Sequence, residues 1–152
     1  MQRLFKILML GLVLTFHATG WTADRGSAAE ATAMVKKAAA FINANGKDKG
    51  FAEINNPSGQ FKDRDLYVAV LDLKAVTLAH GGNPKLVGKD MIEMKDADGK
   101  LFIKQFIEVA NSKGSGWVDY KWPNPVTKAI EGKSTYVEKI GDMIVICGIY
   151  KG

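Results

Sequence analysis

Lys133-Ser-Thr-Tyr-Val-Glu-Lys-Ile140, then Gly141-Asp142, then Met143-Ile-Val-Ile-Cys-Gly-Ile-Tyr150, run in direct succession at the end of the chain. Two runs rich in β-branched, aromatic and apolar residues flank a two-residue turn of a type that favours tight hairpins. They are therefore expected to pair antiparallel. In the second run Met143, Val145, Cys147 and Ile149 alternate with Ile144, Ile146, Gly148 and Tyr150. Both sets are apolar, so both faces of this strand need cover.

Working upstream, Trp117 to Trp122 reads as another strand, and Leu66-Tyr-Val-Ala-Val-Leu71 and Val76-Thr-Leu-Ala-His80 as two more. Asp72-Leu-Lys-Ala75 is the turn between those two. Ser27-Ala-Ala-Glu30 is a capping box. Ala31, Met34, Val35, Ala38 and Ile42 follow at helical spacing, which predicts a long helix from Ser27 to the Asn45-Gly46 stop. A shorter helix is expected over Asp48 to Asn55, ended by Pro57. Asp98-Gly99 is expected to open a third, with Phe102, Ile103, Phe106, Ile107 and Ala110 as its buried stripe and Gly114-Ser-Gly116 as its end. Most strands follow one another without a helical crossover, which excludes a parallel sheet. The expected class is α+β: an antiparallel sheet of about five strands with a long helix on one face. The central helix and the loops, arched over the other face, would enclose a small pocket.

The composition sets outer limits. With 152 residues, 47% hydrophobic and 24% charged, the chain fits one soluble domain rather than a disordered or fibrous protein. Its formal charge is +5, but two of the cations, Arg3 and Lys6, belong to the first twenty residues. No basic run of the kind that binds nucleic acid appears. Met1 to Gly20 has the form of a secretory signal: Arg3 and Lys6, an apolar core from Ile7 to Phe16, and small residues at Ala18-Thr-Gly20. A cleaved leader over residues 1–20, with an alternative cut after Ala23, leaves a single domain over 24–152 that is exported, with a periplasmic destination. The apolar core is about half the ~20 residues a membrane span requires, so no stable insertion is expected after cleavage. The single Cys147 excludes an internal disulfide, and its apolar setting marks it as a small core residue.

Little remains for catalysis. Once the leader is removed, His80 is the one histidine, and with Cys147 it cannot make a zinc site of the usual kind. Gly82 to Lys89 departs from a phosphate loop in glycine spacing, and Asp96-Ala-Asp-Gly99 departs from a calcium loop in glycine position. Both read as turn and cap residues. No nucleophile or paired-carboxylate arrangement follows from spacing, so neither enzymatic activity nor a cofactor is expected. What stands out is a group of aromatics and polar residues in the C-terminal half: Trp117, Tyr120, Trp122, Asn124, Lys133 and Tyr136. Such residues either line a ligand pocket or pack the core and its rim.

Asp65-Leu-Tyr-Val-Ala-Val-Leu-Asp72, Leu78-Ala-His-Gly-Gly-Asn-Pro84 through Gly88, Asp98-Gly-Lys100, Gly116-Trp-Val-Asp-Tyr-Lys-Trp-Pro-Asn-Pro125, Lys133 to Tyr136 and Gly148-Ile-Tyr150 occur in order. Taken together the pattern resembles the single Cache domain of extracytoplasmic sensors, second subtype. The resemblance implies a PAS-like antiparallel sheet behind a long N-terminal helix, with a pocket for a short organic acid of the acetate, propionate, lactate or pyruvate type. It implies His80, Tyr120, Trp122, Lys133 and Tyr136 as pocket residues, with Tyr67 and Asn83 beside them. A carboxylate wants a cation and hydroxyl donors, and aromatics keep water from a short alkyl group. Ala75 stands where the family often has glycine, which points to another turn type. Family members usually sit between membrane helices with an output domain, whereas this chain ends soon after its last strand. The expected role is a free binding module that presents its ligand to a membrane receptor or transporter. The alternative is a ligand-free interaction or scaffold domain of the same fold. Strand parity adds a constraint: Lys133 and Tyr136 cannot both share Tyr120's face of a regular sheet.

Overall fold

A computed structural model describes residues 24–151, so the leader and both of its expected cleavage points lie outside the described residues. Helix α1 (Ala28–Asn45) starts at the capping box: Glu30 N–H donates to the Ser27 hydroxyl, and Ser27 N–H donates to Glu30 Oε2. It stops at Gly46, whose φ of 85° ordinary side chains avoid. Helix α2 (Lys47–Asn55) follows at once. Then come β1 (Lys62–Asp63), β2 (Leu66–Asp72), β3 (Thr77–His80), helix α3 (Phe102–Lys113), β4 (Ser115–Pro123), β5 (Ile130–Ile140) and β6 (Met143–Tyr150).

All strand pairs are antiparallel, in the order β1-β2-β6-β5-β4, with β3 pairing β2 beyond the short β1. The five expected strands are present, and the sixth is the two-residue β1. The final hairpin closes at Ile140↔Met143 and runs to Lys133↔Tyr150. The fold is α+β with α1 across one face of the sheet.

The alternation in β6 divides the core as its sequence requires. Met143, Val145 and Cys147 join Leu66, Val68 and Val70 under Ala31, Val35, Ala38 and Ile42 of α1. Ile144 and Ile146 join Ala69, Leu71, Val118 and Val137 on the other face, under Phe102, Ile103, Phe106 and Ala110 of α3. Cys147 is 1% exposed, and burial pushes its thiol up to about 12, so it packs rather than reacts.

Two local expectations are corrected. Helix α3 begins at Phe102, not at Asp98-Gly99, because Asp96 holds that segment as a turn. Its Oδ1 accepts from Asp98 N–H and Lys100 N–H, and its Oδ2 accepts from Lys121 N–H at 2.9 Å. The turn thereby caps the open edge of β4, a position where unpaired amides invite unwanted strand pairing. The turn at Ala75 has not moved to a conformation that suits alanine. Ala75 keeps φ 71°, the left-handed region that glycine enters more readily.

Candidate functional site

Near its C-terminal end, the α3-side face of the sheet changes from apolar to polar. Tyr67 on β2, Tyr120 on β4, Lys133 and Thr135 on β5 and Tyr150 on β6 meet there. The register explains it: Tyr120 faces Lys133, and Lys133 faces Tyr150. Cross-strand partners share a face.

Lys133 is 2% exposed. Its Nζ donates to the Tyr67 hydroxyl at 2.6 Å and the Tyr150 hydroxyl at 3.2 Å, and lies over both rings, 3.9 and 4.5 Å from their centroids. The Tyr150 proton goes to the Pro123 carbonyl at 2.8 Å, so across the 3.3 Å contact between the hydroxyls Tyr67 donates and Tyr150 accepts. Two acceptors satisfy both N–H bonds of a neutral amine. An ammonium has three, so in the charged form one N–H and the charge itself lack a match. Burial accordingly lowers the Lys133 pKa to about 7, although nearby Cys147 and Asp65 act the other way. Burial also raises the phenols of Tyr67, Tyr120 and Tyr150, which stay protonated as donors.

The Lys133 stem can lie flat on β6 because residue 148 is glycine. A Cβ at Gly148 would come 2.5 Å from Lys133 Cε and 2.2 Å from Thr135 Oγ1. Gly148→Ala is therefore expected to displace the amine and to cost about 1–3 kcal/mol through overpacking. Urea unfolding together with a ligand titration measures both effects.

The other expected residues divide into three groups. His80 is 8% exposed, with its ring 5.2 Å from that of Tyr67. Its Nδ1 accepts from Gly82 N–H at 3.2 Å and Asn83 N–H at 2.9 Å, which puts its proton on Nε2. Burial first, then the charge of Lys133, lowers its pKa to about 4, so at neutral pH it is a neutral donor and not a second cation. Tyr120 stacks on Phe102 at 4.3 Å and shares a hydrogen bond with Thr135 at 3.0 Å, and Trp122 meets Phe102 edge-on at 5.3 Å. Tyr67, Asn83 and Trp122 line a cleft of about 250 Å³ with Gly82, Pro123, Asn124, Pro125 and Lys128.

Tyr136 stands apart, as strand parity requires. It faces Trp117 across the ladder, packs on the α1 side and donates to Glu138 Oε2 at 2.9 Å. Tyr150, Thr135 and Gly148 are the members that the sequence reading did not single out as contacts. Tyr150 and Gly148 sit in the same alternating set of β6, which is the signal that could have found them. The 250 Å³ cleft reaches Tyr67 but not Lys133, which instead borders a second, charged cleft of about 310 Å³ with Tyr120, Asp119 and Lys121. The amine thus sits beneath the floor that Tyr67 forms.

The PAS-like sheet thus carries a buried amine among tyrosine hydroxyls, beneath a cleft to which Tyr67 and Trp122 contribute aromatic walls. The Single Cache domain 2 family model matches residues 11–152, and the chain belongs to that family. Over 90 residues it is 30% identical to the methyl-accepting chemotaxis protein McpP of Pseudomonas putida, spanning 58% of this chain and 16% of that receptor. A chemotaxis protein structure from Vibrio parahaemolyticus matches with TM-score 0.68 at 25% identity, covering 80% of this chain and 86% of that one. A Cache chemosensory domain solved to explain carboxylic acid recognition matches with TM-score 0.68 at 26% identity, covering 82% and 92%. These relatives are chemotaxis proteins or a chemosensory domain, and the chain spans about a sixth of the length of McpP.

Proposed function

We propose that this chain is an exported binding module for a short organic acid, and that Lys133 is the cation that takes the carboxylate. The observation that carries this reading is the buried amine. It is bonded to two hydroxyls, with no carboxylate in hydrogen-bonding contact, and its charged form has one N–H left over. An anion entering from the Tyr67 side would supply both the missing acceptor and the missing charge. Trp122 and Tyr67, the aromatic residues that line the cleft, would flank a short alkyl group. The Tyr67 hydroxyl and His80 Nε2–H, whose ring lies 5.2 Å from that of Tyr67, are neutral donors on that side. The carboxylic acid recognition described for one structural relative is consistent with this chemistry.

Export rests on the leader over residues 1–20 and its small residues at Ala18-Thr-Gly20. Among the described residues no helix is long and apolar enough to cross a membrane. N-terminal sequencing of periplasmic protein is expected to begin at Trp21, or at Asp24 after the alternative cut. Delivery of the ligand to a membrane receptor or transporter completes the proposed role.

A scaffold reading draws on one observation: Tyr67 closes the floor and the tyrosine hydroxyls already engage Lys133. Thermal-shift measurements with acetate, propionate, lactate and pyruvate separate the two. A ligand at a hundredfold its Kd adds roughly 2.7 kcal/mol, or several degrees in Tm. No shift with any short acid favours the scaffold.

A further inference from the structure

The segment before α1 is tied to the cleft from outside. Arg25 Nη1 donates to Glu131 Oε2 at 2.6 Å, and Gly26 N–H donates to Asp65 Oδ1 at 2.7 Å. Glu131 lies two residues before Lys133, and Asp65 two before Tyr67. The same Glu131 carboxylate holds the cleft wall: Oε2 accepts from Asn124 Nδ2 at 3.2 Å and Oε1 from the Thr127 hydroxyl at 2.5 Å. Asn124, 2% exposed, organises that wall by accepting Val126 N–H on its side chain and Lys128 N–H on its carbonyl. On the inner side the wall is joined to the amine, because Tyr150 bonds both the Pro123 carbonyl and Lys133. The Glu131 side chain is 15% exposed and that of Arg25 30%, which shields the pair in part from water.

We propose that Glu131 is a positioning residue that locks the cleft wall to the entrance of α1 through Arg25, so that order in the wall and order at the helix entrance rise and fall together. The hydrogen bond from Arg25 first, then those from Thr127 and Asn124, hold the Glu131 carboxyl well below its ordinary range, at about 2. A charge-assisted hydrogen bond of this kind is among the stronger polar links. It spans 106 residues of sequence, so its loss uncouples the two ends. The latch itself needs no ligand. Its use in sensing rests on the proposed acid site, where a carboxylate that displaces the Tyr67–Tyr150 hydroxyl network would disturb the wall and, through Glu131, the start of α1. Coupling of this kind is reciprocal by linkage.

Hydrogen exchange on the intact chain tests the latch. In Arg25→Gln, the Val126 and Lys128 amides, remote in sequence from the substitution, are expected to exchange roughly five- to tenfold faster. Glu131→Gln is expected to loosen those amides and also Gly26 and Ala31. Lys47→Gln, which breaks the surface pair with Asp142, serves as control and should leave both regions unchanged. If Arg25→Gln fails to fold, Arg25→Lys, with charge kept and the fork lost, takes its place. Faster exchange at Gly26 alone, with Val126 and Lys128 unchanged, would overturn the proposal and leave Arg25 a local anchor. Sodium acetate separates the latch from the acid reading. Slower exchange at Lys128 and Ala31 in the parent, but at Lys128 alone in Arg25→Gln, supports both. No acetate response in the parent, with the wall still loosened by Arg25→Gln, removes acetate as ligand and keeps the latch.

Discussion

Replacing Lys133 with methionine is expected to abolish the thermal response to short organic acids while making the free protein more stable. The two effects have one cause. Lys133 is buried, and its charged form lacks a full set of acceptors. An apolar side chain of similar volume removes that burden, and substitutions of buried charge by well-packed apolar groups can stabilise by about 1–4 kcal/mol. Tyr67 and Tyr150 keep their bond to each other and to the Pro123 carbonyl, so no new orphan is created. For a domain of this size a gain of that order appears as several degrees in Tm. A residue that only supported the fold would behave in the opposite way: its loss would lower Tm and leave the ligand response scaled down but present. Differential scanning fluorimetry of parent and variant, with and without each acid, reads both outcomes.

The second expectation concerns pH. Free Lys133 titrates at about 7 because burial penalises its charge. A bound carboxylate would favour the ammonium and raise that value, so above neutrality binding must bring a proton with it. Affinity is therefore expected to be nearly flat below pH 7 and to fall about tenfold per pH unit above it, until the pKa of the complex is reached. Calorimetry at pH 6, 8 and 9, repeated in buffers of different ionisation enthalpy, reads the affinity and the proton uptake together. The same group affects stability with a definite sign. Its folded pKa lies below its unfolded value of 10.5, so the unfolded chain binds more protons between about 7 and 10.5. Stability should rise with pH through that window, and Lys133→Met should flatten the rise.

The sequence carried the parts of this site that follow from period and parity. The capping box placed α1, the Gly141-Asp142 turn set the β5–β6 register, and that register put Lys133 opposite Tyr150. Parity also separated Tyr136 from Lys133, and the structure has them on opposite faces, with Tyr136 against Trp117 and Glu138. Features set by long-range contacts were not legible. The start of α3 depends on Asp96 reaching Lys121 N–H, a contact across 25 positions that no local pattern encodes. Gly148 matters for the space it leaves to the Lys133 stem, which shows only once β5 and β6 lie side by side. The role of Arg25 was not legible for the same reason, since its partner, Glu131, is distant in sequence.

The Nζ resonance of Lys133 tests the proposed contact between Lys133 and a carboxylate most directly. Selective 15N-lysine labelling, with Lys133→Met to assign the signal, allows Lys133 to be followed at pH 8 as acetate, propionate, lactate or pyruvate is added. At that pH the free amine is expected to be mostly neutral. A saturable shift to the ammonium position is expected with at least one of these acids, at the same concentration that raises Tm. Saturation of the protein by such an acid with the Lys133 resonance unmoved would contradict it.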